Sequence, residues 1–188
     1  MQSYIEIKVP LRSNAQWIAE LKRALRIAGI KVAWKIPGHP HLTLAFIDET
    51  PDVDAVVKGV EPCLSKAKAP VIKFDRLNVF RAQSGTKYVI NLTTSAVPEG
   101  FQCLVNNIRE TLAQNGAVMR SKFLFHVTLG EVAVGNASIT QIQDIINSVV
   151  LPDFSLTLRN VNFMEFRGKR TIFAKWMIAN EIKGITNL

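Results

Sequence analysis

The chain has 188 residues, 48% of them apolar and 20% charged, which is the make-up of packed globular protein and excludes a disordered or collagenous chain. Its length suits one domain over residues 1–188, with two small halves sharing a core. Lys and Arg outnumber Asp and Glu by 23 to 15, a formal charge of +8 that draws polyanions such as RNA or phosphorylated nucleotides, although the basic residues are spread along the chain. Cys63 and Cys103 lie far apart, which supports neither a disulfide framework nor a zinc knuckle. The first residues lack the pattern of a signal peptide and no apolar run is long enough to span a bilayer, so a cytoplasmic location with reduced thiols is expected.

In chain order, Tyr4 to Val9 alternates apolar and polar residues as a half-buried strand does, and Pro10 closes it. A helix follows from Ser13 or Asn14 as cap, with Trp17, Ile18, Leu21, Leu25 and Ile27 on its apolar face and Gly29 at its end. His41 to Phe46 reads as a strand and Asp52 to Lys66 as a helix entered through Thr50-Pro51. Val71 to Phe80 and Thr86 to Thr93 form a hairpin around Ser84-Gly85. The order then restarts: a helix from Pro98 to Asn115 stopped by Gly116, a strand from Phe125 to Leu129, and a helix from Ser138 to Val149. A second hairpin, Phe154 to Phe166 and Thr171 to Ile178, turns at Gly168. Residues after Ala179 read as a short tail.

Two His-x-Thr-Leu strands begin at His41 and His126, and the hairpin glycines Gly85 and Gly168 are separated by almost the same length of chain. A near-constant offset of this kind indicates internal duplication. Two repeats are too few for a solenoid, so the halves are expected to pack about a pseudo-twofold axis with a cleft between them.

In an extended strand His41 and Thr43 share one face while Leu42 and Leu44 take the other, and His126 and Thr128 repeat this against Phe125, Val127 and Leu129. Strands anchored from behind by buried side chains aim the groups on their front faces, so two His-Thr pairs would enter one cleft. That arrangement suits phosphodiester cleavage without a metal: one imidazole takes a proton from the nucleophile, the other protonates the departing oxygen, and the hydroxyls hold non-bridging oxygens. From ordinary residue usage, one His-x-Thr-Leu arises by chance in about one such chain in fifty. Two at matching places are far rarer, and they use two of the three histidines.

On these motifs the sequence resembles the two-histidine (2H) phosphoesterases, which include bacterial 2′,3′-cyclic phosphodiesterases of the type labelled 2′-5′ RNA ligase. His41-Leu42-Thr43-Leu44-Ala45-Phe46 resembles the first family motif and His126-Val127-Thr128-Leu129 the second. The resemblance implies an α+β, bilobal, duplicated fold, with two mostly antiparallel sheets around a central cleft and helices on the outside. It also implies hydrolysis of 2′,3′-cyclic phosphates to 2′-phosphates without metal or organic cofactor. One departure stands out: members of the RNA-end-processing branch often carry a basic residue directly after the second motif, where this chain has Gly130-Glu131. Strand alternation puts Glu131 on the face opposite His126, as a solvent or edge residue.

Other candidates carry less information. Lys8 and Asn91 stand at the offset of the hairpin glycines, on equivalent strands, and would line the cleft as substrate contacts if those strands flank the motifs. Arg81, Lys87, Arg120, Lys122, Arg167, Lys169 and Arg170 gather near the hairpin tips and before the second motif, where a phosphate backbone would meet them. Phe173 and Tyr88 are expected in the core rather than as base-stacking platforms, as are Trp17 and Trp176. His39 reads as a surface residue, and Trp34 is in the loop leading to the first motif. The expected protein is a monomer acting on RNA or a nucleotide, with no membrane and no metal. A nucleotide-binding module without efficient catalysis, and a phosphodiesterase for 2′-5′-linked or cyclic oligonucleotides, remain the alternatives.

Overall fold

A computed structural model describes residues 2–12, 15–35, 40–49, 52–120, 122–167 and 169–179. The expected cap at Ser13 or Asn14, the Thr50-Pro51 entry, His39, the Gly168 turn and the tail beyond Ala179 lie outside those residues.

The first half contains β1 (Gln2–Lys8), α1 (Gln16–Ile27), β2 (Ala33–Trp34), β3 (His41–Glu49), α2 (Val53–Ser65), β4 (Val71–Lys73) and β5 (Arg76–Arg81). The second contains β6 (Lys87–Thr93), α3 (Glu99–Gln114), β7 (Val118–Met119), β8 (Val127–Ala133), α4 (Ile139–Asn147), β9 (Ser155–Thr157) and β10 (Asn160–Arg167), and β11 (Lys169–Met177) ends the series. The duplication holds element by element. β2 begins at Ala33 and β7 at Val118, α2 at Val53 and α4 at Ile139, β4 at Val71 and β9 at Ser155, a nearly constant step along the chain.

Local chemistry repeats as well. The Asp52 carboxylate accepts the Asp54 and Ala55 N–H groups at 2.9 and 3.1 Å to start α2, and the Ser138 hydroxyl accepts the Gln141 N–H at 3.1 Å to start α4. Helices α1 and α3 both end where a glycine takes positive φ, Gly29 at 73° and Gly116 at 77°. The next N–H then turns back, Ile30 to the Leu25 carbonyl and Ala117 to that of Leu112. In α1, Trp17, Ile18, Leu21 and Leu25 are buried as expected. Ile27 is 73% exposed, because a residue two positions beyond Leu25 lies on the other side of a 3.6-residue turn.

One sheet crosses both halves in the order β11-β10-β1-β3-β8-β6-β5, with β2 added to β8 and β7 to β3. The two antiparallel arrays implied by the resemblance are its wings, β11-β10-β1-β3 and β8-β6-β5, and among the described residues they meet at a single backbone pair, Leu42 with Val127. The predicted long hairpin arms are each broken once, at Phe74-Asp75 and at Leu158-Arg159. The short segments so released, β4 and β9, pair with each other as a separate two-stranded sheet.

The halves exchange parts. β2 of the first pairs with β8 of the second, and β7 of the second with β3 of the first. Helix α1 packs on α4, which lies against β5, while α2 packs on α3, which lies against β3. One apolar cluster therefore draws on both halves, including Leu21, Leu42, Val60, Ile90, Ile108, Val127 and Phe163.

Candidate active site

The two motif strands are held from behind. Leu42 and Leu44 are fully buried in β3 and Val127 and Leu129 in β8, while His41, Thr43, His126 and Thr128 are half-buried on the opposite face. His126 precedes the first paired residue of β8, yet the alternation runs through it, since Phe125 before it is buried. Extending the antiparallel register of the Leu42–Val127 pair by one residue each way sets His41 across from Thr128 and Thr43 across from His126. All four side chains thus gather at the seam between the wings.

Each motif strand carries a β-bulge at the leucine that closes its His-x-Thr-Leu motif. Pairing of β1 with β3 jumps from Ile5–Ala45 to Glu6–Thr43, leaving Leu44 extra. Pairing of β6 with β8 jumps from Ile90–Gly130 to Asn91–Thr128, leaving Leu129 extra. An extra residue reverses the parity of everything beyond it. Glu131, opposite Val89 on the face that Asn91 shares, is therefore on the same face as His126 and Thr128, and not on the opposite face that simple alternation assigns. There it meets Lys87 Nζ at 2.8 Å and Lys35 Nζ at 3.1 Å. Burial pulls the Glu131 carboxyl upward, but the hydrogen bonds from Lys87 and Lys35 outweigh it and hold the group below its ordinary range.

The register also corrects the pairing of the flanking candidates. Asn91 stands opposite Thr128, and the residue opposite Thr43 is Glu6, which is thus the counterpart of Asn91 in the first half. Lys8 stands opposite His41 instead. Asn91 is 1% exposed, and its amide nitrogen donates to the Asn78 and Val89 carbonyls at 3.0 and 3.3 Å. Glu6 is equally buried. Its Oε1 meets Lys8 Nζ at 2.7 Å and accepts from Asn162 Nδ2 at 2.9 Å, and its Oε2 lies 3.4 Å from His41 Nδ1. Sequence reasoning missed Glu6. Its signal was a carboxylate on the polar face of a strand whose other face, Ile5 and Ile7, is fully buried.

The two imidazoles sit in unlike surroundings. Tyr4 stacks on His41 with 5.9 Å between ring centroids. Phe80 and His126 instead meet edge to face, perpendicular and 5.1 Å apart. His126 Nδ1 lies 3.0 Å from the Leu124 carbonyl oxygen; a carbonyl only accepts, so Nδ1 carries the proton and Nε2 of the neutral ring has its lone pair. Burial lowers the pKa of His126 below the ordinary histidine value, the Leu124 carbonyl opposes that, and the charge of His41 adds to the lowering.

Two of the other basic candidates have partners. Arg81 donates to the Gly85 carbonyl at 3.1 and 2.9 Å, fastening its own hairpin, and Arg120 pairs with Asp48 at 2.6 Å. Lys122 is exposed. The side chains of Arg167, Lys169 and Arg170 lie outside what the structure describes. Trp17 is buried, and Tyr88 and Trp176 pack against the core as partly buried residues. Phe173 departs from expectation at 48% exposed, because it is the extra residue of a third bulge: Phe163 pairs with Ala174 and Met164 with Ile172. Trp34, in β2, lies under Lys22 Nζ at 5.4 Å. Among the described residues no group of three or more His, Cys, Asp or Glu is placed to hold a metal ion, and no helix is long and apolar enough to cross a membrane.

The fold recurs in solved structures. Over 94% of this chain and 97% of the other, it superposes on E. coli LigT complexed with 3′-AMP at 19% identity and a TM-score of 0.61. TT0787 of Thermus thermophilus is similar at 13% identity and a TM-score of 0.68, covering 97% of this chain and all of that one. Kluyveromyces marxianus Usb1 is similar at 6% identity and a TM-score of 0.59, over 91% and 96%. No curated protein sequence matches the chain. At family level the match is direct: residues 10–170 fit the 2′-5′ RNA ligase superfamily, and the chain belongs to that superfamily.

Proposed function

We propose that the chain is a metal-independent phosphodiesterase that opens a ribose 2′,3′-cyclic phosphate, on a nucleotide or an RNA end, to the 2′-phosphate. The observation that carries the reading is the gathering of His41, Thr43, His126 and Thr128 on one face, at the Leu42–Val127 backbone pair that joins the two wings. A phosphate at that seam would have an imidazole on either side and a hydroxyl for each of its non-bridging oxygens. Family membership and the solved LigT complexes with 3′-AMP, ATP and NADP+ support a nucleotide-like ligand.

The unlike surroundings of the two rings support an assignment of roles. His126 has a lowered pKa and a proton fixed on Nδ1, so its Nε2 is the general base. His41 has a carboxylate at its Nδ1, which favours the charged ring, so its Nε2–H is the general acid. Water gives a proton to His126 as its oxygen bonds to phosphorus. The P–O3′ bond breaks on the far side, and O3′ takes the proton of His41. The products are a 2′-phosphate and a free 3′-hydroxyl, and the rings return to their starting states by exchange with solvent.

The test is turnover of the four nucleoside 2′,3′-cyclic monophosphates in the presence of EDTA, with product identity read by chromatography. The expected result is the 2′-phosphate, with kcat reduced roughly 10²–10⁴-fold in His41→Ala and in His126→Ala. Binding without turnover in the wild type would establish the non-catalytic module instead. Loss of turnover in EDTA would overturn the metal-free mechanism.

A further inference from the structure

Beside His41 the cleft floor continues into a cavity of about 480 Å³ over β1, β10 and β11, lined among others by Lys8, Asn160, Asn162, Met164, Lys175 and Trp176. Its one carboxylate, Glu6, is met by Lys8 at 2.7 Å and by Asn162 at 2.9 Å. Lys175 takes part in no ion pair among the described residues. The cavity therefore has a cation that no carboxylate of the described residues answers, and an amide, Asn160, beside it. Register sets Lys175 across from Asn162, Asn162 across from Glu6 and Glu6 across from Thr43. That row spans three strand spacings, about 14 Å between its end Cα atoms, which is the reach of a ribose with a further phosphate plus a lysine side chain. Met164 and Trp176 give the same cavity an apolar wall for the sugar or base.

We propose that this cavity receives the ribose on the departing-oxygen side, and that Lys175 contacts a phosphate ester on the 5′ side of that ribose. The proposal rests on the assignment of His41 as the acid, which places the departing oxygen, and the sugar that carries it, next to the cavity. The preferred substrate is then a 2′,3′-cyclic phosphate with a second phosphate one sugar away, and the bare nucleoside cyclic phosphate is a poor one.

The experiment compares kcat/KM for cytidine 2′,3′-cyclic phosphate, for the same nucleotide with a 5′-monophosphate, and for a dinucleotide ending in the cyclic phosphate, which separates a free 5′-phosphate from an internucleotide linkage. Wild type is expected to favour the 5′-phosphorylated forms by about tenfold or more, the worth of one charge-assisted contact. Lys175→Gln should abolish the preference, Lys175→Arg should keep it, and Lys66→Gln, a charge change at the end of α2, should leave it intact. Equal kcat/KM for all three substrates, or a preference that survives Lys175→Gln, overturns the cavity assignment and leaves the phosphodiesterase reading standing. Turnover of none overturns the phosphodiesterase reading. The cavity assignment then stands only if cytidine 5′-monophosphate binds wild type about tenfold tighter than cytidine does and Lys175→Gln erases that difference, and it falls otherwise.

Discussion

Two histidines related by a pseudo-twofold axis are chemically interchangeable until their neighbours differ, and one such difference here is Glu6 against Asn91. These residues hold equivalent places, each opposite a motif threonine. The Glu6 carboxylate, 3.4 Å from His41 Nδ1, favours a charged imidazole, whereas Asn91 turns its amide nitrogen to two backbone carbonyls. With His126 as the proposed base, a bell-shaped pH–rate profile is expected, its acid limb displaced to lower pH because burial lowers the pKa of His126. The sign follows directly: a base with a lowered pKa stays neutral to lower pH, so activity persists there. In Glu6→Gln the alkaline limb should move to lower pH while the acid limb stays in place, and kcat at neutral pH should fall. A role for Glu6 in folding alone would lower the yield of active protein and leave the profile where it was.

At the scale of elements, the bulges at Leu44 and Leu129 separate what the sequence shows from what it hides. Alternation on its own locates His41, Thr43, His126 and Thr128, because all four precede the bulge in their strand. Beyond it, alternation fails for Glu131, since an extra residue leaves no mark in a run of ordinary strand formers. The repeat matches Lys8 to Asn91 for a related reason: a constant offset identifies equivalent strands but leaves their exact register open. The strands β2 and β7, two residues each, are too short for any periodicity and are visible only through their partners. One of them sets a steric demand. A Cβ on Gly130 would lie 2.5 Å from Val32 Cγ1 and 3.2 Å from Trp34 Cε3, and a β-branched neighbour has little freedom to move aside. Gly130→Ala is expected to cost about 1–3 kcal/mol, read as a lowered urea midpoint with an unchanged slope.

Over the whole molecule, duplication has not produced two modules laid side by side. Helix α1 packs on α4 and α2 on α3, so each helical layer takes one helix from each half. The small β4–β9 sheet likewise has one strand from each. Neither half can bury its apolar faces alone, and the outcome expected of residues 1–84 and 85–188 expressed separately is a lack of cooperative thermal unfolding in each. Mixing the two should restore the circular dichroism of the intact chain. Independent folding of either fragment would contradict the shared core.

The seam at Leu42 and Val127 has a mechanical meaning beyond its place in the sheet. Among the described residues one backbone pair crosses that line, and the motif side chains stand on either side of it. His41 belongs to one wing and His126 stands at the start of the strand that begins the other, so an anion held by both imidazoles would bridge the wings. A ligand at the seam would therefore be a tie between the two halves of the sheet as well as an occupant of the site.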